Sequence, residues 1–145
     1  MPNQKPIYSF RDLDVYQGAY SASIVVMTRI IPKLPSRERF DLVDQLSRSS
    51  KAVPRLIAEG FAKKHQKAGF QKYLDDAMAE TNETSVSIEQ RRDIYPNNVE
   101  LQLCNELVDQ YDKIGRQLYN LLRAWNGFKH TERRTTANDT GRDRR

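Results

Sequence analysis

From Cys104 to Phe128 the residues Cys104, Leu107, Tyr111, Ile114, Leu118, Leu121, Trp125 and Phe128 follow one another at alternating steps of three and four. A helix turns once in ~3.6 residues, so this spacing gathers all of them on one stripe, and a stripe that long has to be covered by other helices. Leu101, Val108 and Leu122 lie beside the seam and widen it beyond what a single partner helix covers. The chain therefore has to supply several helices, and prolines mark where they stop.

A first helix is predicted from Phe10 to Ile31, with Leu13, Tyr16, Tyr20, Ile24, Met27 and Ile31 as its inward stripe. Pro32 and Pro35 end it, because proline has no amide to donate and its ring clashes with the preceding turn. A second is predicted to open at Ser36, whose hydroxyl is placed to accept from the Arg39 amide, and to run through Phe40, Val43, Leu46, Ser50, Val53 and Ile57 to about Gly60. Pro54 falls inside it and should kink or restart the helix, since the Ser50 carbonyl loses its amide partner there. After a connector at 63–68, a third helix from Gly69 to Asp93 turns Phe70, Leu74, Ala77, Thr81, Ser85 and Ile88 inward, and a turn at Tyr95-Pro96-Asn97-Asn98 leads to a fourth from Val99 to Phe128. Helices of this length joined by short turns predict an all-α, up-down-up-down antiparallel four-helix bundle. No alternating strand pattern or internal repeat competes with that fold.

The 145 residues fit one domain, read as an N-terminal arm (1–9), the bundle (10–128) and a tail (129–145). The tail holds six Lys/Arg against three Asp/Glu and almost nothing apolar, so it is expected to be a disordered basic extension. No apolar run approaches the ~20 residues that span a bilayer, and no secretory signal is visible, so no membrane partner and a cytoplasmic location are expected. Cys104 is the sole cysteine, which excludes an internal disulfide or a multi-thiolate metal site within one chain and suggests a reduced core residue.

Catalytic patterns are missing. His65 and His130 sit in the connector and the tail, the six glycines are scattered, and no nucleophile elbow or phosphate loop occurs. No cofactor, metal or enzymatic activity is expected. Asp76, Glu80 and Glu83 share a helical face and could bind magnesium, but salt-bridging or solvated surface explains the same spacing.

Charge is segregated. Residues 47–72 hold Arg48, Lys51, Arg55, Lys63, Lys64, Lys67 and Lys72 against Glu59 alone, whereas residues 75–89 hold five acids and no base. A basic stripe attracts an RNA or DNA phosphate backbone by releasing counterions. Equally, the basic face of one copy can meet the acidic face of the next and fix an oligomer. Tyr8, Tyr16, Tyr20, Tyr111 and Tyr119 are expected mostly on helical seams, so any RNA binding would read shape and backbone rather than bases. Gln45, Arg48 and Glu59 make either local helix pairs or a buried polar network around the Pro54 kink.

Several segments resemble a four-helix-bundle family named for proteins encoded in intervening sequences of 23S ribosomal RNA genes. They are Phe10-Arg11-Asp12-Leu13-Asp14-Val15-Tyr16, Leu34-Pro35 followed by Glu38, Phe40 and Leu42, Gln45-Leu46-Ser47-Arg48-Ser49, Val53-Pro54, and Ile57-Ala58-Glu59-Gly60-Phe61. Phe70, Tyr73-Leu74 and Ala77 are similar to the start of its third-helix signature. Two departures stand out: Arg55-Leu56 where the family usually has Ser and Asn, and Ala79-Glu80 where Gly-Ser is common. The resemblance implies a ring-shaped homopentamer. A related branch, the accessory variability determinant of diversity-generating retroelements, partners a reverse transcriptase and its template RNA. The leading expectation is a non-enzymatic, oligomeric RNA- or ribonucleoprotein-binding adaptor. The alternative is a protein–protein interaction module that never touches nucleic acid.

Overall fold

A computed structural model describes the backbone of residues 6–98 and 100–142, and the side chains of residues 6–97 and 100–125. Four long helices dominate it: α1 (Asp14–Val25), α2 (Leu42–Ala62), α3 (Lys67–Ile94) and α4 (Leu101–Arg142). Among the described residues there is no strand. Helix α1 packs on α2 and α4, α2 packs most extensively on α3, and α3 packs on α4, which makes a four-helix bundle around one core.

Before α1, a single 3-10 turn at Phe10–Asp12 is closed by a capping box, with Ser9 accepting from the Arg11 amide and Asp12 accepting from the Ser9 amide. Beyond Val25 the helix widens into a π turn at Val26–Ile30 and tightens into a 3-10 turn at Ile31–Lys33, where Pro32 denies it another α-helical bond. The carbonyl of Ile30 is satisfied from across the bundle: Arg91 of α3 is buried and its Nε donates to that oxygen at 3.1 Å. Burial lowers the pKa of the Arg91 guanidinium.

The inward face of α1 differs from the expected one. Leu13 at its start is buried as expected, but the residues buried after it are Val15, Ala19, Ala22, Ser23, Val26 and Ile30, while Tyr20 is 51% and Ile24 46% exposed. Tyr16, Met27 and Ile31 are half-buried. Small side chains let α1 approach its neighbours closely, and this turns the larger aromatic and branched residues onto the flank.

Helix α2 starts at Leu42, not Ser36. Ser36–Glu38 is a separate 3-10 turn in which Arg39 donates to the Ser36 carbonyl rather than its hydroxyl. The Glu38 carboxylate instead accepts the Leu42 amide at 3.2 Å and the Tyr95 hydroxyl at 2.8 Å, tying the start of α2 to the end of α3. Phe40 consequently lies outside the helix and is exposed, and Leu42 fills the core position. Pro54 sits inside one unbroken helix.

The inward residues expected of α3, Phe70, Leu74, Ala77, Thr81, Ser85 and Ile88, are all buried. Its polar core is real. Thr81 donates to the Ala77 carbonyl, and Thr84 Oγ1 lies 2.8 Å from both Ser49 Oγ of α2 and the Glu80 carbonyl. On α4 the seam holds through Leu118 and then passes from Leu121 to Leu122, as the drift of a straight helix against a heptad requires. With no proline to stop it, α4 continues through Lys129, where a disordered tail is expected; the side chains of that tail lie outside the described residues.

Thr84→Val is expected to destabilise the protein by about 1–3 kcal/mol, because it strands the Ser49 hydroxyl in the core. Adding Ser49→Ala should recover part of the loss. Urea denaturation of the two single variants and the double variant measures this coupling, and strict additivity would contradict the hydroxyl pair.

Candidate nucleic-acid interface

The seven basic residues fall into two groups. Arg48, Lys51 and Arg55 follow at steps of three and four along α2 and so share a face. Lys63, Lys64 and Lys67 occupy the junction between α2 and α3, with Lys72 just over a turn further along α3. At 1.5 Å per residue, Arg48 stands about 21 Å from the end of α2, so the two groups are not one compact patch.

The junction is tight for a local reason. Lys63 donates back to the Glu59 and Gly60 carbonyls, Lys64 to that of Phe61, and Gln66 to that of Lys63, so the chain reverses within a few residues. Gly60 lies where a Cβ would come within 3.2 Å of Tyr73 Cβ, which lets the beginning of α3 press against α2. A Cβ on Gly69 would stand 3.2 Å from Lys63 Cβ, so Lys63 is folded against the first turn of α3. Lys63, Lys67 and Lys72 are exposed, and the half-buried Lys64 holds its ammonium 3.8 Å over the Phe61 ring. Among the described residues no carboxylate pairs with any of these four lysines; the ion pairs present join Arg29 and Lys33 to Glu100, Arg48 to Asp44 and Arg92 to Asp93.

The α2 group has a different setting. Arg48 is exposed and pairs with Asp44 at 3.1 Å on its own helix. Gln45 is half-buried, Glu59 is exposed, and no hydrogen bond joins the two to Arg48. Of the two readings, a local helix pair is the kind present, though Arg48 takes Asp44 rather than Gln45 as its partner, and with Arg48 and Glu59 exposed no buried network forms around Pro54. Among the described residues the buried polar set is Ser23, Ser49, Ser50, Thr81, Thr84, Ser85, Ser87 and Arg91. Arg91 was legible in principle: Ala77, Thr81, Thr84, Ile88 and Arg91 step by four and three along one face.

Arg55 stands on the ridge between two concavities. On the α3 side a groove of about 340 Å³ is lined by Arg55 and Leu56 together with Glu59, Asp76, Ala79 and Glu80. The two departures from the family pattern therefore meet in one place. Burial and the adjacent Glu83 carboxylate push Glu80 above the usual glutamate range, and Arg48 pulls weakly the other way. No three His, Cys, Asp or Glu side chains converge among the described residues as a metal site requires, Asp76, Glu80 and Glu83 included.

On the α1 side, Lys51 and Arg55 line a cleft of about 300 Å³ with Tyr16, Tyr20 and Pro54. The tyrosines expected mostly on seams divide differently. Tyr111 is buried, Tyr16 is half-buried, and Tyr8, Tyr20 and Tyr119 are exposed. Aromatics and bases do meet, because they come from two helices that the linear sequence keeps apart. Cys104, as expected, is a buried free thiol. Among the described residues no helix is long and apolar enough to cross a membrane.

A carboxyl whose pKa is raised by folding loses stability as pH climbs past its unfolded value of ~4.3. Glu80→Gln is expected to raise the melting temperature at pH 7.5, with the gap from wild type narrowing towards pH 4. A lower melting temperature at pH 7.5 would contradict this environment for Glu80.

The model of a family described as 23S rRNA-intervening sequence protein matches residues 11–120, which cover all of α1 to α3 and half of α4. No curated protein and no solved structure matches the chain.

Proposed function

The chain belongs to the 23S rRNA-intervening sequence protein family, and from that premise we propose that it is a non-enzymatic, oligomeric adaptor that binds RNA or a ribonucleoprotein through phosphate. The observation that carries the reading is the lysine junction: Lys63, Lys64, Lys67 and Lys72 lie at the α2–α3 turn, with no carboxylate paired to them among the described residues. Four unneutralised ammonium groups at one end of a rigid bundle are suited to a polyanion, whose bound counterions they would displace. Arg48, Lys51 and Arg55 extend the contact along α2.

In this proposal the bundle has up-down-up-down antiparallel topology and assembles as a ring-shaped homopentamer. Exposed Ile7, Tyr8, Phe40, Val86, Ile94 and Leu101 are side chains of the kind that self-association covers. A ring would repeat the junction around its circumference and turn weak contacts into avidity. A reverse transcriptase with its template RNA is one ribonucleoprotein partner that fits this architecture. A pure interaction module is favoured only by the acids of the α2–α3 groove, which could receive the basic face of a neighbouring copy.

The combined variant Lys63→Glu, Lys64→Glu, Lys67→Glu is expected to weaken RNA binding at moderate salt by at least about tenfold, without change in assembly mass or melting temperature. Fluorescence anisotropy and sedimentation velocity provide the two readouts. Unchanged affinity rejects the junction as the phosphate site, and loss of assembly assigns these lysines to an interface between copies.

A further inference from the structure

The cleft between α1 and α2 belongs neither to the core nor to the lysine junction. On its α1 side the rings of Tyr16 and Tyr20 lie 6.0 Å apart and 29° from parallel, and Phe10 meets Tyr16 edge-on at 4.9 Å. On its α2 side stand Lys51, Pro54 and Arg55, and no carboxylate lines the space. Tyr20 is half exposed although the core lies within reach, because the small residues Ala19 and Ala22 have taken the inward positions of α1. The result is a small concavity with aromatic and proline surfaces and two cations.

We infer that this cleft is a subsite for single-stranded RNA, in which one unstacked base lies against Tyr20 and Tyr16 while Lys51 and Arg55 take the adjoining phosphates. The inference rests on the RNA-binding reading above but uses other residues and distinguishes one class of strand. Every base offers a π face to an aromatic ring, so stacking of this kind tolerates any sequence. Within a duplex both faces of a base are covered by its neighbours, and the ring cannot enter. A volume of about 300 Å³ is at the small end for a binding site and suits one base-sized ring rather than a longer stack. Paired cations with no acid opposite favour a phosphate over the apolar side chain of a protein partner. The carboxylates that share a concavity with Arg55, those of Glu59, Asp76 and Glu80, line the groove on its other side.

The probes are a labelled oligouridylate and a duplex RNA of equal length, each titrated against the full chain by anisotropy. Tyr20→Ala is expected to weaken the single strand about tenfold, or ~1.4 kcal/mol, and to leave the duplex unchanged. Tyr20→Phe keeps the ring and should bind as wild type, whereas Tyr20→Leu keeps the apolar bulk and should bind like Tyr20→Ala. Photocrosslinking with 4-thiouridine in the same oligonucleotide should mark Tyr16 or Tyr20. Equal effects of Tyr20→Ala on both strands, no effect on either, or crosslinks confined to the α2–α3 junction would overturn the subsite. A change in assembly mass on Tyr20→Ala would do so as well, by making the cleft an interface between copies. The junction and the cleft fail separately. If charge reversal at Lys63, Lys64 and Lys67 spares both probes while Tyr20→Ala loses the single strand, the junction falls and the cleft stands; the opposite pattern removes the cleft alone.

Discussion

Helices α2 and α3 lie close because the side chains between them are small. Gly60 leaves just enough room for Tyr73 and Leu74, and further along the two helices Ser49 meets Thr84 in the buried interior. A hydroxyl in such a place needs an acceptor, and the helix supplies one in the carbonyl a turn earlier, as the Glu80 carbonyl stands 2.8 Å from Thr84 Oγ1. The seam is therefore polar but neutral. Its narrowness leaves no space for the long charged residues on either side, so Arg48 and Arg55 of α2 and Asp76 and Glu83 of α3 emerge at its margin. The return between the helices is short, closed by its own backbone hydrogen bonds, and Lys63, Lys64 and Lys67 lie in it and at the first residue of α3.

Charge is segregated along this chain, and the ion pairs among the described residues leave the junction lysines aside. Lys72 lies one turn before Asp76, but Lys67 precedes Asp75, the first acid of α3, by about 12 Å of helix at 1.5 Å per residue, beyond the ~10 Å screening length in ordinary salt. Each surface remains available to something outside the protomer. For the lysines a polyanion is the simplest complement, since phosphates recur at short intervals along a strand. For the Arg55 ridge the surroundings differ on the two sides, aromatic towards α1 and acidic towards α3, which is why one arginine cannot be assigned by its charge alone.

Periodicity made the third and fourth helices legible. The stripe from Phe70 to Ile88 is buried as read, even where it consists of Thr and Ser, because spacing rather than polarity decides which face turns inward. The first helix carries two candidate stripes, and beyond Leu13, which is buried as expected, side-chain size points to the wrong one. Close packing favoured Val15, Ala19, Ala22, Val26 and Ile30 instead. For Gln45, Arg48 and Glu59 the sequence offers both a local pair and a network around the carbonyl that Pro54 frees, and spacing on one helix does not say which face a neighbour covers; Arg48 and Glu59 are exposed. Arg91 escaped notice since a basic residue is taken for surface, although it lies on the buried stripe and closes the carbonyl of Ile30. The meeting of Tyr16 and Tyr20 with Lys51 and Arg55 depends on how α1 and α2 pair, and no single-helix pattern contains that information.

The central claim is that the lysine junction binds nucleic-acid phosphate, and it is tested most directly by the salt dependence of RNA affinity for the unmodified protein. Each neutralised phosphate of a single strand contributes about −0.7 to the slope of log K against log salt, so contacts from Lys63, Lys64, Lys67 and Lys72 predict a slope near −3. A steep line of that order supports the account. Absence of binding at low salt, or an affinity that stays flat as salt rises, would contradict it and leave the bundle as a protein scaffold.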